Sequence, residues 1–288
     1  MASTTTQFEP VDTVLLAGSV NRIPLFPGDK PGYKALVELL GKPLIAYVLD
    51  ALHEAEGIGR IFVVGAPEVV DYASLWERVS GVPDGHQLLR NAWRGLRAAT
   101  TDRVLFCNPD QPLLRTEMVE DFLQRALASE GDLVSSWVRN EDLGPYVEGE
   151  HKFAKFGDGK YAHGNLFLVR KDIPHMDRIK ARLDRIYAAR KNNIRFAWAL
   201  GPSLFGRFLV SLISGKMPSL NESLEIGGNK FGINLQPVIC PYPEIALDID
   251  EPEDYAAATR YLSDPNFASQ ARANSGMARE RIRQRATV

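Results

Sequence analysis

Short, unbroken apolar runs alternate with amphipathic stretches through the first half of the chain. TVLLAG, at 13–18, and RIFVVG, at 60–65, are rich in Val, Leu and Ile with no polar interruption, as expected of strands covered on both faces. RVLFCN, at 103–108, and DLVSSWV, at 132–138, follow the pattern less strictly. Between the first two runs, Leu44, Val48, Ala51 and Leu52 recur at i, i+4, i+7 and i+8. That spacing predicts a helix over 43–56 with Pro43 in its first turn. Further helices are predicted over 68–79, 87–99 and 116–129. Strands alternating with helices imply βαβ units, hence an α/β fold with a mostly parallel central sheet flanked by helices.

The pattern changes in the second half. KFAKFGDGKYAHGNLFLVR holds two strand-like runs about Asp158–Gly159, which predicts an antiparallel hairpin. Two helices are predicted over 173–191 and 194–214, a helical insertion spanning about 173–216. A strand fits INLQPVIC, and a last helix fits 251–262 with Pro252 in its first turn. Residues 263–288 carry Ala, Arg, Ser and Asn and few large apolar side chains, so a basic, flexible tail is expected after a single domain over 1–262.

Charge narrows the partners. Over 288 residues the formal net charge is -2, so no global field favours nucleic acid or a membrane surface. No run reaches the roughly 20 apolar residues of a membrane span. The N-terminal MASTTTQFEP lacks the apolar core of a secretory signal, and a cytoplasmic location is expected. The only two cysteines, Cys107 and Cys240, exclude a disulfide framework and suit a reducing compartment. Cys107 sits in an apolar run and reads as core rather than nucleophile. From Arg170 to Lys216 eleven Lys and Arg stand against three Asp. That stretch suits a solvated helix or a wall facing an anionic acceptor, and its sparse aromatics argue against nucleic acid. The five histidines show no zinc-ligand spacing.

The loop after the first strand carries the chemistry. It contains Gly18, Arg22, Gly28, Gly32 and Lys34, and a glycine-containing loop between strand and helix presents backbone N–H groups to phosphate. Neither G-x-G-x-x-G nor G-x-x-x-x-G-K-[ST] is present. Leu16, Ala17, Gly18, Arg22, Lys34, Gly41, Lys42 and Pro43 together resemble the opening signature of the MobA-like nucleotidyltransferases. CNPDQPLL, HGNLFLVR and ALDIDEPEDYAAA resemble that family's later blocks, in the same order. Ser19 stands where the family has a second glycine, and its Cβ holds phosphate further off. His163 stands where a glycine is common, and the Gly18–Arg22 spacing is one residue short.

The resemblance implies a Rossmann-like GT-A fold and magnesium-dependent transfer of a nucleoside monophosphate from an NTP to a small anionic or phosphorylated acceptor, with release of pyrophosphate. It assigns Arg22, Lys34 and Asp110 to catalysis, and Leu16, Ala17, Gly18 and Ser19 to nucleotide binding. Gln87 and Asn91 are placed at the nucleobase, although a plain helix start fits them as well. Gly164, Asn165, Arg190 and Lys191 are assigned to the acceptor. Asp110 and Asp250 are the expected metal ligands, with Asp248 as the less favoured second carboxylate. Mg²⁺ takes hard oxygen ligands, one or two carboxylates among them. Asp250 would equally suit a helix start. The alternatives are a nucleotide-sugar-dependent glycosyltransferase, which should carry D-x-D where this chain has Asp110-Gln111-Pro112, and a catalytically degenerate nucleotide-binding protein.

Overall fold

A computed structural model describes residues 9–143, 153–173, 176–189 and 217–267. The strands are β1 (Val11–Leu16), β2 (Val20–Asn21), β3 (Gly32–Tyr33), β4 (Glu38–Leu39), β5 (Lys42–Pro43), β6 (Ile58–Gly65), β7 (Val79–Pro83), β8 (Arg103–Cys107), β9 (Leu133–Arg139), β10 (Ala154–Phe156), β11 (Gly159–Arg170) and β12 (Leu235–Ile239). The helices are α1 (Leu44–Glu54), α2 (Pro67–Ala73), α3 (Leu88–Ala98), α4 (Thr116–Leu127), α5 (Met176–Ala189), α6 (Leu220–Phe231) and α7 (Pro252–Ser263).

Eight strands form one sheet in the order β12-β9-β11-β8-β1-β6-β7, with β10 paired to β11. β1 pairs in parallel with both β6 and β8, as do β6 with β7 and β9 with β12. Only β11 runs against the rest, because it returns from the β10 hairpin and slots between β8 and β9. Helices α1 and α4 cover one face, where Leu49, Leu52, Met118 and Phe122 meet Leu15, Ile61 and Leu105. Helix α3 covers the other, where Leu96 meets Val14, Phe62, Val104 and Phe106. Residues on both faces of β1, β6 and β8 are therefore buried, which accounts for their uninterrupted apolar sequences.

Several expectations shift. Helix α2 ends at Ala73, and the expected 68–79 helix gives way to strand β7, the edge of the sheet. Pro43 lies just outside α1 with extended backbone (φ -57°, ψ 144°). The hairpin turns at Gly157–Asp158 rather than Asp158–Gly159, since Phe156 pairs with Gly159. The first insertion helix is α5. The expected 194–214 helix, Arg190 and Lys191, and nearly all of the 263–288 tail lie outside the described residues.

After β1 the chain builds β6 and β7 on one side, then crosses back to place β8 on the other side of β1. In open α/β sheets that reversal leaves a crevice beyond the carboxyl ends of the two strands. The glycine loop leaves β1 there, and Asp110 follows β8 there.

Candidate active site

The glycine loop is held at both its root and its tip. At the root, the Ala17 N–H donates to Val64 O at 2.8 Å, and Val20 and Asn21 of β2 pair with Tyr33 and Gly32 of β3. The Lys34 N–H then donates to Ser19 O at 3.0 Å, which returns Lys34 to the start of the loop. At the tip, Asp29 Oδ2 accepts from Asn21 Nδ2 at 2.6 Å and from the Leu25 N–H at 2.9 Å. Leu25 is buried, and Phe26 stacks on Tyr255 of α7 with centroids 5.0 Å apart. Arg22 and Ser19 remain exposed on this frame, and Leu16 is half-buried.

Lys34 is buried and reaches two carboxylates at once. Its Nζ lies 2.6 Å from Asp110 Oδ2 and 2.5 Å from Asp250 Oδ1. A lysine is rarely buried unless paired. Burial works against its charge, but Asp110 and Asp250 more than offset that and raise its pKa above the usual lysine range. Asp110 is only 7% exposed, and its Oδ1 is buried with no hydrogen-bond partner. Ligand oxygens of Asp110, Asp248 and Asp250 all lie within 4.8 Å of one another. Asp248 is half-buried; burial first, then the charges of Asp110 and Asp250, push its carboxyl up to about 7.

Both aspartates of the closing segment thus join the cluster, including the less favoured Asp248. The Ile249 N–H donates to Asp110 O at 3.0 Å, and the Ile249 side chain is buried between its neighbours. In extended backbone, residues two apart face the same way. The triplet Asp248-Ile249-Asp250, apolar between two acids, is the sequence signal for both carboxylates. This donor set suits a hard divalent cation: three carboxylates, one with an orphaned buried oxygen.

The loop after β7 packs on Gly18. A Cβ at Gly18 would stand 2.7 Å from both Asn91 Nδ2 and Asp84 Oδ1. Asn91 is buried; its Oδ1 accepts from the Gly85 N–H and its Nδ2 donates to Asp84 Oδ1, each at 2.6 Å. Its amide is spent largely on shaping this loop, whereas Gln87 stands exposed just before α3. Asp84, which sequence reasoning did not single out as a binding residue, anchors the same turn by accepting from the His86 N–H at 2.9 Å.

Opposite, β11 bulges where it passes β9. Trp137 pairs with His163 and Ser135 with Phe167, so Gly164, Asn165 and Leu166 face Ser136 alone. Ser136 Oγ donates to Leu166 O at 3.0 Å and accepts from the Leu166 N–H at 3.1 Å, replacing the missing ladder bonds. A Cβ at Gly164 would overlap Ser136 Oγ, which explains the glycine. The bulge turns Asn165 towards the end of β8, where its Oδ1 accepts from Asn108 Nδ2 at 3.1 Å. His163 is exposed and wedged between Trp137 and Phe167, its ring centroid 4.5 and 5.0 Å from theirs. Ser136 carries no sequence signal of this role, since a serine pair within an otherwise apolar strand makes no motif.

Cys107 is a core residue, and burial pushes its thiol well up. Among the described residues no helix is long and apolar enough to cross a membrane.

A mostly parallel sheet with a glycine loop at its switch point, facing a lysine-bridged carboxylate cluster, defines a nucleotide-handling α/β protein. The chain belongs to the MobA-like NTP transferase family, whose domain matches residues 13–195. Over 152 residues it is 36% identical to the bifunctional protein GlmU of Nitratidesulfovibrio vulgaris strain DP4. That match covers 51% of this chain and 31% of GlmU, so the chain aligns with about a third of that relative's length. A hypothetical transferase from Thermus thermophilus superposes with a TM-score of 0.70 at 28% identity, covering 86% of this chain and all of the other. The fold is shared with 4-diphosphocytidyl-2C-methyl-D-erythritol synthase from Anaerococcus prevotii, with a TM-score of 0.54 at 14% identity, covering 89% and 97% of the two chains.

Proposed function

We propose that this protein moves a nucleoside monophosphate from an NTP to a small anionic or phosphorylated acceptor, with magnesium and with release of pyrophosphate. The observation that carries this reading is Lys34 bridging Asp110 and Asp250 at the foot of the glycine loop. In the proposed reaction an acceptor oxygen forms a bond to the α-phosphorus. The bond from that phosphorus to its bridging oxygen breaks, and the electron pair leaves on pyrophosphate. Backbone N–H groups of Gly18 and Ser19 and the exposed Arg22 hold the triphosphate, and the Lys34 ammonium offsets charge that grows as pyrophosphate departs. Gln87 and the loop shaped by Asn91 flank the nucleobase. Asn165, set by the β11 bulge, faces the acceptor together with Gly164, and Arg190 and Lys191 are assigned to its anionic group. Asp110, Asp248 and Asp250 would hold the divalent cation, which when bound neutralises triphosphate charge.

The test is thermal unfolding with each of the four NTPs, with and without Mg²⁺, for wild type and Asp110→Asn. A ligand at about 100 times its dissociation constant adds about 2.7 kcal/mol. One NTP should stabilise wild type when Mg²⁺ is present, and Asp110→Asn much less. If no NTP stabilises wild type and nucleotide sugars do, nucleotidyl transfer is refuted in favour of glycosyl transfer.

A further inference from the structure

The carboxylate cluster is assembled from two segments far apart in sequence, and three links join them. Gln111 Nε2 donates to Ile245 O at 3.0 Å, the Ile249 N–H donates to Asp110 O at 3.0 Å, and Arg115 NH1 donates to Glu244 Oε1 at 2.8 Å. The Tyr261 hydroxyl reinforces the last, donating to the same Glu244 oxygen at 2.9 Å and accepting from Arg115 at 3.2 Å. Gln111 is completely buried and Glu244 is 1% exposed. Gln111 Oε1 also accepts from the Cys107 thiol at 3.4 Å, which ties it back to strand β8.

A buried amide is costly unless bonded, and an apolar side chain would fill this site at lower cost. What Gln111 gains is a grip on Ile245, three residues before Asp248. Arg115 grips Glu244 one residue earlier, so the chain is anchored just ahead of the point where it must deliver two carboxylates to Asp110.

We propose that Gln111, backed by the Arg115–Glu244–Tyr261 group, is a positioning residue that holds Asp248 and Asp250 in register with Asp110 for cation binding. It touches neither cation nor substrate; it acts through the backbone of 244–250. The inference rests on the cation reading above.

The experiment measures Mn²⁺ binding to the full chain without nucleotide, by the electron paramagnetic resonance of free Mn²⁺. The variants are Asp110→Asn, Gln111→Met and Glu244→Gln. A fourth, Asp12→Asn, disturbs a buried network at the opposite end of the strands, where Asp12 Oδ2 accepts from the Thr100 N–H at 2.6 Å. Gln111→Met and Glu244→Gln should each weaken Mn²⁺ binding at least tenfold while Asp12→Asn stays within twofold of wild type, a split that general loosening of the fold would not produce. Glu244→Gln decides the matter if Gln111→Met fails to fold. Affinities within twofold of wild type for both clasp variants, with binding lost in Asp110→Asn, would overturn the positioning role and leave the cation reading standing. Wild-type affinity in Asp110→Asn would overturn the cation reading and the clasp with it.

Discussion

Asp248→Asn should stabilise the cation-free protein, increasingly so as pH rises. Asp248 shares a cluster with Asp110 and Asp250 whose oxygens lie within 4.8 Å of one another, and its carboxyl is pushed from 3.8 up to about 7. Between those values the native state keeps a proton that the unfolded chain has lost. The native state then binds more protons, so stability falls as pH rises through the window from about 4 to 7. Three units at about 1.4 kcal/mol each make the full cost about 4 kcal/mol at pH 8. About 1.6 kcal/mol remains at pH 5 and about 0.5 at pH 4 by the same linkage. Solvent reaching this half-buried side chain screens the pH 8 figure to about 2–4 kcal/mol. Replacing the carboxyl by an amide removes the cost while keeping the shape. Urea unfolding at pH 5, 6.5 and 8 in EDTA, on wild type and Asp248→Asn, measures the difference. Added Mg²⁺ should narrow it at pH 8 by stabilising wild type more than the variant, which has lost one of the three carboxylates. A variant no more stable than wild type at pH 8, or a gain that does not change from pH 5 to 8, would refute the reasoning.

Other consequences can be checked on the same material. Lys34→Met removes the ammonium that Asp110 faces at 2.6 Å; unfolding in urea at neutral pH should show a loss of about 3 kcal/mol from the stranded buried carboxylate, and an unchanged midpoint would mean that the pair holds nothing. Gly164→Ala forces a methyl against Ser136 Oγ, so the bulge must move at a cost of about 1–3 kcal/mol; a crystal structure retaining the Asn108–Asn165 bond at full stability would contradict this. Cys107 and Cys240 are buried, with the Cys240 thiol pushed up to about 12. A disulfide reagent such as DTNB should react with both in denaturant and with neither promptly in the native protein; fast native labelling would show that one is reachable.

The strands that could be read from sequence were those whose two faces are both covered. Val14 faces α3 while Leu15 faces α1 and α4, so β1 carries no polar alternation to confuse the pattern. Strand β7 escaped because it lies at the sheet edge, holds Gly81 and Pro83, and buries only Val82. Its neighbour α2 stops early for a tertiary reason. Arg78 takes a left-handed conformation (φ 63°) while its guanidinium donates to Ile58 O at 2.6 Å and His53 O at 2.5 Å, pulling the chain into the sheet. The hairpin turn falls one residue earlier than Asp158-Gly159 suggests. There Asp158 accepts from the Leu220 N–H at 2.9 Å and the Tyr161 hydroxyl at 3.2 Å, and both bonds depend on distant packing.

The candidate site divides along the same line. Its parts were legible because each sits in a short block with its own local logic: glycines in the loop, Asp110 just beyond a strand, an acid pair ahead of α7. Their interdependence was not, because it arises only when segments more than seventy residues apart meet. Lys34 reads in sequence as a solvated loop lysine or a clamp on phosphate. In the fold it is buried, and it is the counter-charge that lets Asp110 and Asp250 approach each other. One ammonium cannot balance three carboxylates. With all ionised, two negative charges stay in excess at a site that is partly withdrawn from water, and Asp248 is raised by that burial first and then by the excess charge. A proton on Asp248 relieves half of that excess and a divalent cation relieves all of it. Charge balance therefore gives the cluster a reason to take up a divalent cation that does not depend on the family resemblance.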